Sequence, residues 1–128
     1  MVKEKKDRRI RKTENQLRAG LAKLMKEKNI REITVKELVE EVDINRSTFY
    51  LHYTDIYNMM STIEEELMKD FRQVIADHPE VDLECENVAY VKEIFSVLEK
   101  NREICQALMG EHGDMAFVYR LEELIAEH

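Results

Sequence analysis

Arg46, Ser47, Thr48, Tyr50 and His52 stand within seven residues, and every one of them carries a hydrogen-bonding head. Seven residues make about two turns of helix, so these groups project from one short rod. A guanidinium at the start of such a rod suits the paired acceptors of a guanine edge, and a Thr can meet either a thymine methyl or a phosphate. Thr34, Lys36, Tyr50 and His52 suit phosphate oxygens, contacts that fix position rather than sequence. This is recognition chemistry. The chain has no His-Glu-x-x-His pair, no Gly-rich phosphate loop and no Ser or Cys in a nucleophile setting, so neither an enzyme nor a cofactor is expected. His78, His112 and His128 sit at predicted element ends without a second ligand at metal spacing, so no metal site is expected. The plain alternative for the segment is an ordinary pair of short helices in a bundle.

Charge favours the recognition reading, because it is sorted along the chain. Residues 1–54 hold 14 Lys and Arg against 9 Asp and Glu, a net of +5, whereas residues 55–128 hold 6 against 18, a net of −12. A basic head on an acidic body points the head at a polyanion, with double-stranded DNA the first candidate. No apolar run approaches the roughly 18 residues that cross a bilayer, and no apolar signal core follows the charged start, so a cytoplasmic protein without a membrane partner is expected. Cys85 and Cys105, inside apolar stretches, read as a buried reduced pair.

With 3 Gly and 1 Pro in 128 residues, few places force a helix to stop, and the predicted class is all-α. Residues 1–12, with Lys3, Lys5, Lys6, Arg8, Arg9, Arg11 and Lys12, read as a mobile basic arm. Leu17, Leu21, Leu24 and Met25 then mark a first helix to about Lys28, with Thr13 and Gln16 as a capping box. Thr34 and Glu37 form a second capping box, before a two-turn helix that buries Val35, Leu38, Val39 and Val42. Asp43-Ile44-Asn45 is a tight turn with Asn45 as the next cap, and a third helix runs from Arg46 to about Tyr53. Thr54 caps a long fourth helix striped by Ile56, Met59, Met60, Ile63, Leu67, Phe71, Val74 and Ile75, which ends at His78-Pro79; its Glu64-Glu65-Glu66 run reads as a solvated face. An acidic loop with Glu80, Asp82, Glu84 and Glu86 follows. Val88, Val91, Ile94, Phe95 and Leu98 mark helix five, Asn101 caps helix six with Ile104, Cys105 and Leu108, and helix seven starts near Met115 and carries Phe117, Val118, Leu121, Leu124 and Ile125 to the last residue. Met59, Met60, Met68, Met109 and Met115, with Tyr90 and Phe95, read as core in preference to an adaptable ligand pocket.

A two-turn helix, a three-residue turn and a second short helix with polar residues at its start is the helix-turn-helix arrangement. The run from Ile33 to Tyr53, and above all Ser47-Thr48-Phe49-Tyr50-Leu51-His52-Tyr53, resembles the DNA-binding signature of the TetR family of bacterial transcriptional regulators. Residues 101–114 are similar to a segment of the C-terminal domain in one branch of that family. The resemblance implies base reading by Arg46, Ser47 and Thr48 and phosphate contact by Thr34, Tyr50 and His52. With Lys36, Asn45 and Leu51, these complete the predicted DNA-binding set. There are three departures from the family pattern. Asp43 replaces a common Gly in the turn, Ile56 replaces a phosphate-holding Lys, and the pattern ends in helix seven where the family adds two helices, as in a truncated or shortened member.

The sequence therefore predicts a head at residues 1–54 joined by the long fourth helix to a ligand-binding and dimerisation body at residues 55–128. The expected function is a ligand-responsive repressor that binds a palindromic operator as a homodimer, with an unidentified small-molecule effector or protein partner. The alternative is a TetR-like protein-interaction module whose DNA head is weak or unused.

Overall fold

The computed structural model describes residues 8–78 and 88–126. They form seven α-helices: α1 (Arg8–Met25), α2 (Val35–Val42), α3 (Arg46–His52), α4 (Ile56–Ala76), α5 (Val88–Lys100), α6 (Arg102–Met109) and α7 (Met115–Ala126), with one 3-10 turn at Ile30–Glu32. The all-α prediction holds: there is no strand among the described residues, and α4 is the long element. The readings placed on Lys3, Lys5, Lys6, Pro79, Glu80, Asp82, Glu84, Cys85, Glu86 and His128 lie outside the described residues.

Helix α1 starts earlier than its apolar stripe. Arg8 to Lys12, assigned to the arm, form its first turns, and Thr13 is an interior residue, not a cap. Arg and Lys are good helix formers, and extending an existing helix is far easier than nucleating one. The other end tightens at Met25, where the Glu27 and Lys28 N–H groups both return to the Leu24 carbonyl at 3.0 and 3.1 Å. The cap of α4 is Asp55 in place of Thr54: its Oδ1 accepts the Asn58 N–H at 2.7 Å, while Asn58 Oδ1 accepts the Thr54 N–H at 3.0 Å.

Among the described residues, one cluster of buried apolar side chains joins α1, α2, α3, α4, α6 and α7. Leu17, Leu21 and Leu24 of α1 share it with Leu38, Phe49, Met59 and Ile63, and with Ile104, Leu108 and Phe117 from the last two helices. Helix α1 packs against both α2 and α6, and α4 against α5 and α7. Cys105 is buried in this core, and burial pushes its thiol pKa up. Arg18 ties three elements together, donating to Glu66 of α4 at 2.6 Å and to Asn101, the residue before α6, at 3.0 Å.

Two expectations fail for a common reason. The Glu64-Glu65-Glu66 run is not one solvated face: Glu64 is buried, Glu65 pairs with Arg120 and Glu66 with Arg18. Three consecutive helical residues sweep about 200° of the surface and cannot share one side. Likewise Phe95, Met109 and Met115 are exposed, not core. In α5 the buried residue is Tyr90, whose ring sits edge-on to His78 at 5.4 Å, and Val88, Val91 and Phe95 form an outward apolar stripe.

The crossing of α1 over α2 is close because Gly20 has no side chain; a Cβ there would lie 2.4 Å from Val42 Cγ1. Gly20→Val overpacks that crossing, and urea unfolding should show a loss of about 1–3 kcal/mol.

Candidate nucleic-acid interface

The turn between α2 and α3 closes as the sequence requires. Asp43 takes the left-handed conformation, at φ 58° and ψ 51°. Its N–H returns to the Glu40 carbonyl at 3.3 Å and that of Ile44 to Val39 at 3.0 Å, so the last carbonyls of α2 are satisfied. Asp is among the few non-Gly residues that reach this region at low cost. The start of α2 is held by the predicted capping box: Thr34 Oγ1 accepts the Glu37 N–H at 3.0 Å, and Glu37 Oε1 accepts the Thr34 N–H at 3.3 Å. The other Glu37 oxygen accepts from Lys28 Nζ, which holds the Glu37 carboxyl below the usual carboxylate range.

Helix α3 is pinned by one ring. Phe49 is fully buried, set edge-on to Tyr50 at 5.3 Å and tilted against Tyr53 at 5.6 Å. Tyr53 is buried too, and burial, with Glu14 and Glu66 nearby, pushes its phenol up to about 12. Asn45 occupies the N-cap position, but the predicted side-chain cap is absent; its carbonyl accepts the Thr48 N–H at 3.0 Å instead.

With Phe49 turned inward, Arg46, Ser47, Tyr50 and Leu51 face solvent. Arg46, Ser47 and Tyr50 are exposed, Thr48 is half-buried, and Leu51 is 83% exposed. An apolar side chain standing that far into water on a polar face is suited to a methyl or sugar contact rather than to folding. Thr34 and Lys36 are exposed at the start of α2. Thr34 Oγ1 spends a lone pair on the cap and keeps its own proton to donate. The exposed Arg8, Arg11 and Lys12 add positive charge at the start of α1.

His52 is placed differently from its neighbours. It is half-buried, and its Nδ1 lies 3.1 Å from Glu14 Oε2, so the α3 end is tied to α1. Sequence reasoning missed Glu14, which is separated from His52 by 38 positions and follows no motif. It also missed Tyr57. Ile56, at the position of the family's Lys, is buried, whereas Tyr57 beside it in the first turn of α4 is exposed and carries a phenol. Among the described residues, no group of three or more His, Cys, Asp or Glu has the geometry to hold a metal ion. Open clefts flank α1; the larger, about 470 Å³, is lined by Gln16, Gly20, Lys23, Lys26, Glu41 and Glu103 among others.

Two curated proteins are similar to this chain. An uncharacterized HTH-type transcriptional regulator, YxbF of Bacillus subtilis (strain 168), is 28% identical over 64 residues, which are 50% of this chain and 17% of that one. The nucleoid occlusion factor SlmA of Colwellia psychrerythraea (strain 34H) is 26% identical over 101 residues, 76% of this chain and 50% of that one. The chain thus spans half or less of the length of these relatives. These two distant similarities, one of them to an HTH-type transcriptional regulator, support the TetR-like resemblance of the chain. No family model matches, and no solved structure matches.

Thr34→Ala removes the acceptor of the α2 cap and should lower stability by about 1 kcal/mol in thermal or urea unfolding, while Thr34→Ser should leave it near the parent value.

Proposed function

We propose that this protein is a sequence-specific DNA-binding transcriptional regulator in which α3 enters the major groove and α2 braces it against the backbone. The observation that carries the reading is the division of α3. Phe49 is sealed in the core, while Arg46, Ser47, Tyr50 and Leu51 stand exposed on the outer side of the rod. Arg46, Ser47 and Thr48 read bases; Thr34, Lys36, Asn45 and Tyr50 hold phosphates and sugars, with Leu51 adding apolar contact. His52 joins them if phosphate competes with Glu14 for its ring. Tyr57 adds a phenol next to this set, in place of the Lys that the family carries at Ile56.

In this reading residues 1–54 are the DNA head, residues 55–128 the regulatory body, and α4 the lever between them. The protein works in the cytoplasm as a repressor on a palindromic operator. A two-fold dimer sets two recognition helices about 34–36 Å apart. The α5 stripe supports dimerisation: Val88, Val91 and Phe95, the last 64% exposed, form an apolar line left open among the described residues. An effector in the body would act by shifting the spacing of the two heads. Among the described residues no helix is long and apolar enough to cross a membrane.

A second reading, a TetR-like module that binds another protein, is favoured by the same α5 stripe and by the loss of the family's Lys at Ile56. Binding to the DNA upstream of the protein's own gene, followed by fluorescence anisotropy at two salt concentrations, separates the two. A regulator loses affinity steeply with salt, and Arg46→Ala weakens specific binding by about 1–3 kcal/mol. Affinity indifferent to both salt and Arg46 would overturn the DNA reading. Light scattering should give twice 15.3 kDa for the parent chain and a shift toward 15.3 kDa for Phe95→Glu.

A further inference from the structure

Glu14 of α1 is bound to the last residue of α3. The His52 ring nitrogen Nδ1 lies 3.1 Å from Glu14 Oε2, and the two side chains are only 9% and 21% exposed. A carboxylate only accepts, so Nδ1 carries a hydrogen and donates it. Glu14 stands one helical turn before Arg18, which is itself bound to Glu66 of α4 and to Asn101. One face of α1 therefore grips α3 through Glu14 and α4 through Arg18.

Helical spacing shows what the Glu14 bond adds. Phe49, His52 and Tyr53 lie at i, i+3 and i+4, on the side of α3 turned to the core. Burial of the Phe49 and Tyr53 rings is non-directional: it fixes how closely α3 approaches its neighbours and resists turning about the rings much less. A hydrogen bond to a carboxylate is stronger and weakens as its angle departs from linear, so it holds a heading. His52 is at the opposite end of α3 from Arg46, six residues and about 9 Å away along the axis. A swing of about 10° at the His52 end displaces Arg46 by about 1.6 Å, while the working range of a hydrogen bond is only about 0.5 Å wide.

We propose that Glu14 is a positioning residue for α3: by holding His52 it sets the angle at which Arg46, Ser47 and Tyr50 are presented. It acts through His52 and not by a contact of its own. The tie stands on the fold alone, and its consequence for DNA rests on the reading of α3 as the recognition helix.

The first arm of the test needs no DNA. Amide residual dipolar couplings of the full chain report the direction of α3. Glu14→Ala should shift the α3 couplings while those of α1 and α2 keep the parent geometry, and Glu14→Gln, whose amide oxygen still accepts from Nδ1, should match the parent throughout. Unchanged α3 couplings in Glu14→Ala overturn the proposal. The second arm uses fluorescence anisotropy on a duplex that the parent chain selects from a randomised pool and on an unrelated duplex of equal length. Glu14→Ala and His52→Ala should each lower the ratio of specific to non-specific affinity about fivefold or more, the loss of at least one base contact. The double variant should be no worse than either single one, and Glu14→Gln should restore the ratio. A group with a merely structural role would lower both affinities with the folded fraction and leave their ratio alone. An unchanged ratio in Glu14→Ala therefore overturns the proposal, and so does a raised one, which would mean that Glu14 withholds His52 from phosphate. A parent chain that selects no duplex overturns the DNA reading, and the couplings still decide on Glu14.

Discussion

The burial of Phe49 is the constraint on which the rest of the interface depends. A helix of seven residues has no stability of its own, because the cost of nucleating it is not recovered over two turns. Helix α3 exists as a rod only because Phe49, with Tyr53 four residues on, is sunk into a core shared with Leu17, Leu21 and Leu38. Anchoring one side of so short a helix fixes the direction of every other side chain on it. Arg46, Ser47, Tyr50 and Leu51 face outward as a consequence of where Phe49 goes, so the geometry of this exposed face is inherited from packing. The left-handed Asp43 and the Thr34–Glu37 box do the same for α2, through hydrogen bonds between residues close in the chain.

The head is not an independent bead on a string. Helix α1 packs on α2 along one side and on α6 along another, and the core passes from Phe49 through Met59 and Ile63 to Ile104 and Leu108 without a break. Arg18 adds a polar bond across the same junction, joining α1 to Glu66 and to Asn101. Close-packed interiors transmit displacement because side chains interdigitate and leave little room to absorb it. Any change in how α6 or α7 sits is therefore felt at α1 as well as along α4. Helices α1 and α6 thus make a second junction between residues 1–54 and the later helices, beside the chain's own passage into α4.

Much of this was legible in the sequence, and the reasons differ by element. The α2–α3 unit was readable almost residue by residue because its determinants are local: a capping box four residues long, an Asp able to turn left-handed, and an aromatic at helical spacing. Helix α4 was readable from a stripe of apolar residues sustained over several turns. Helix α5 was legible as a helix but not as to its faces, since Val88, Val91 and Phe95 and also Tyr90, Ile94 and Leu98 all recur at helical spacing, and periodicity cannot tell which stripe meets the core. The start of α1 was misjudged because polarity was taken for irregularity, although Arg and Lys propagate a helix well.

What the sequence by itself determined is the class of the fold, the helix-turn-helix unit and the sorting of charge into a basic head and an acidic body, all of which follow from interactions between residues close in the chain. What only the tertiary structure decided are the pairings across it: His52 with Glu14, Arg18 with Glu66 and Asn101, and Arg120 with Glu65. Each joins residues whose separation in sequence carries no signal, and the consequence of each depends on burial, which is a property of the whole packing. A glutamate in a run of three reads as surface until the fold shows which of the three is turned inward, and only then does its charge become a constraint on the molecule.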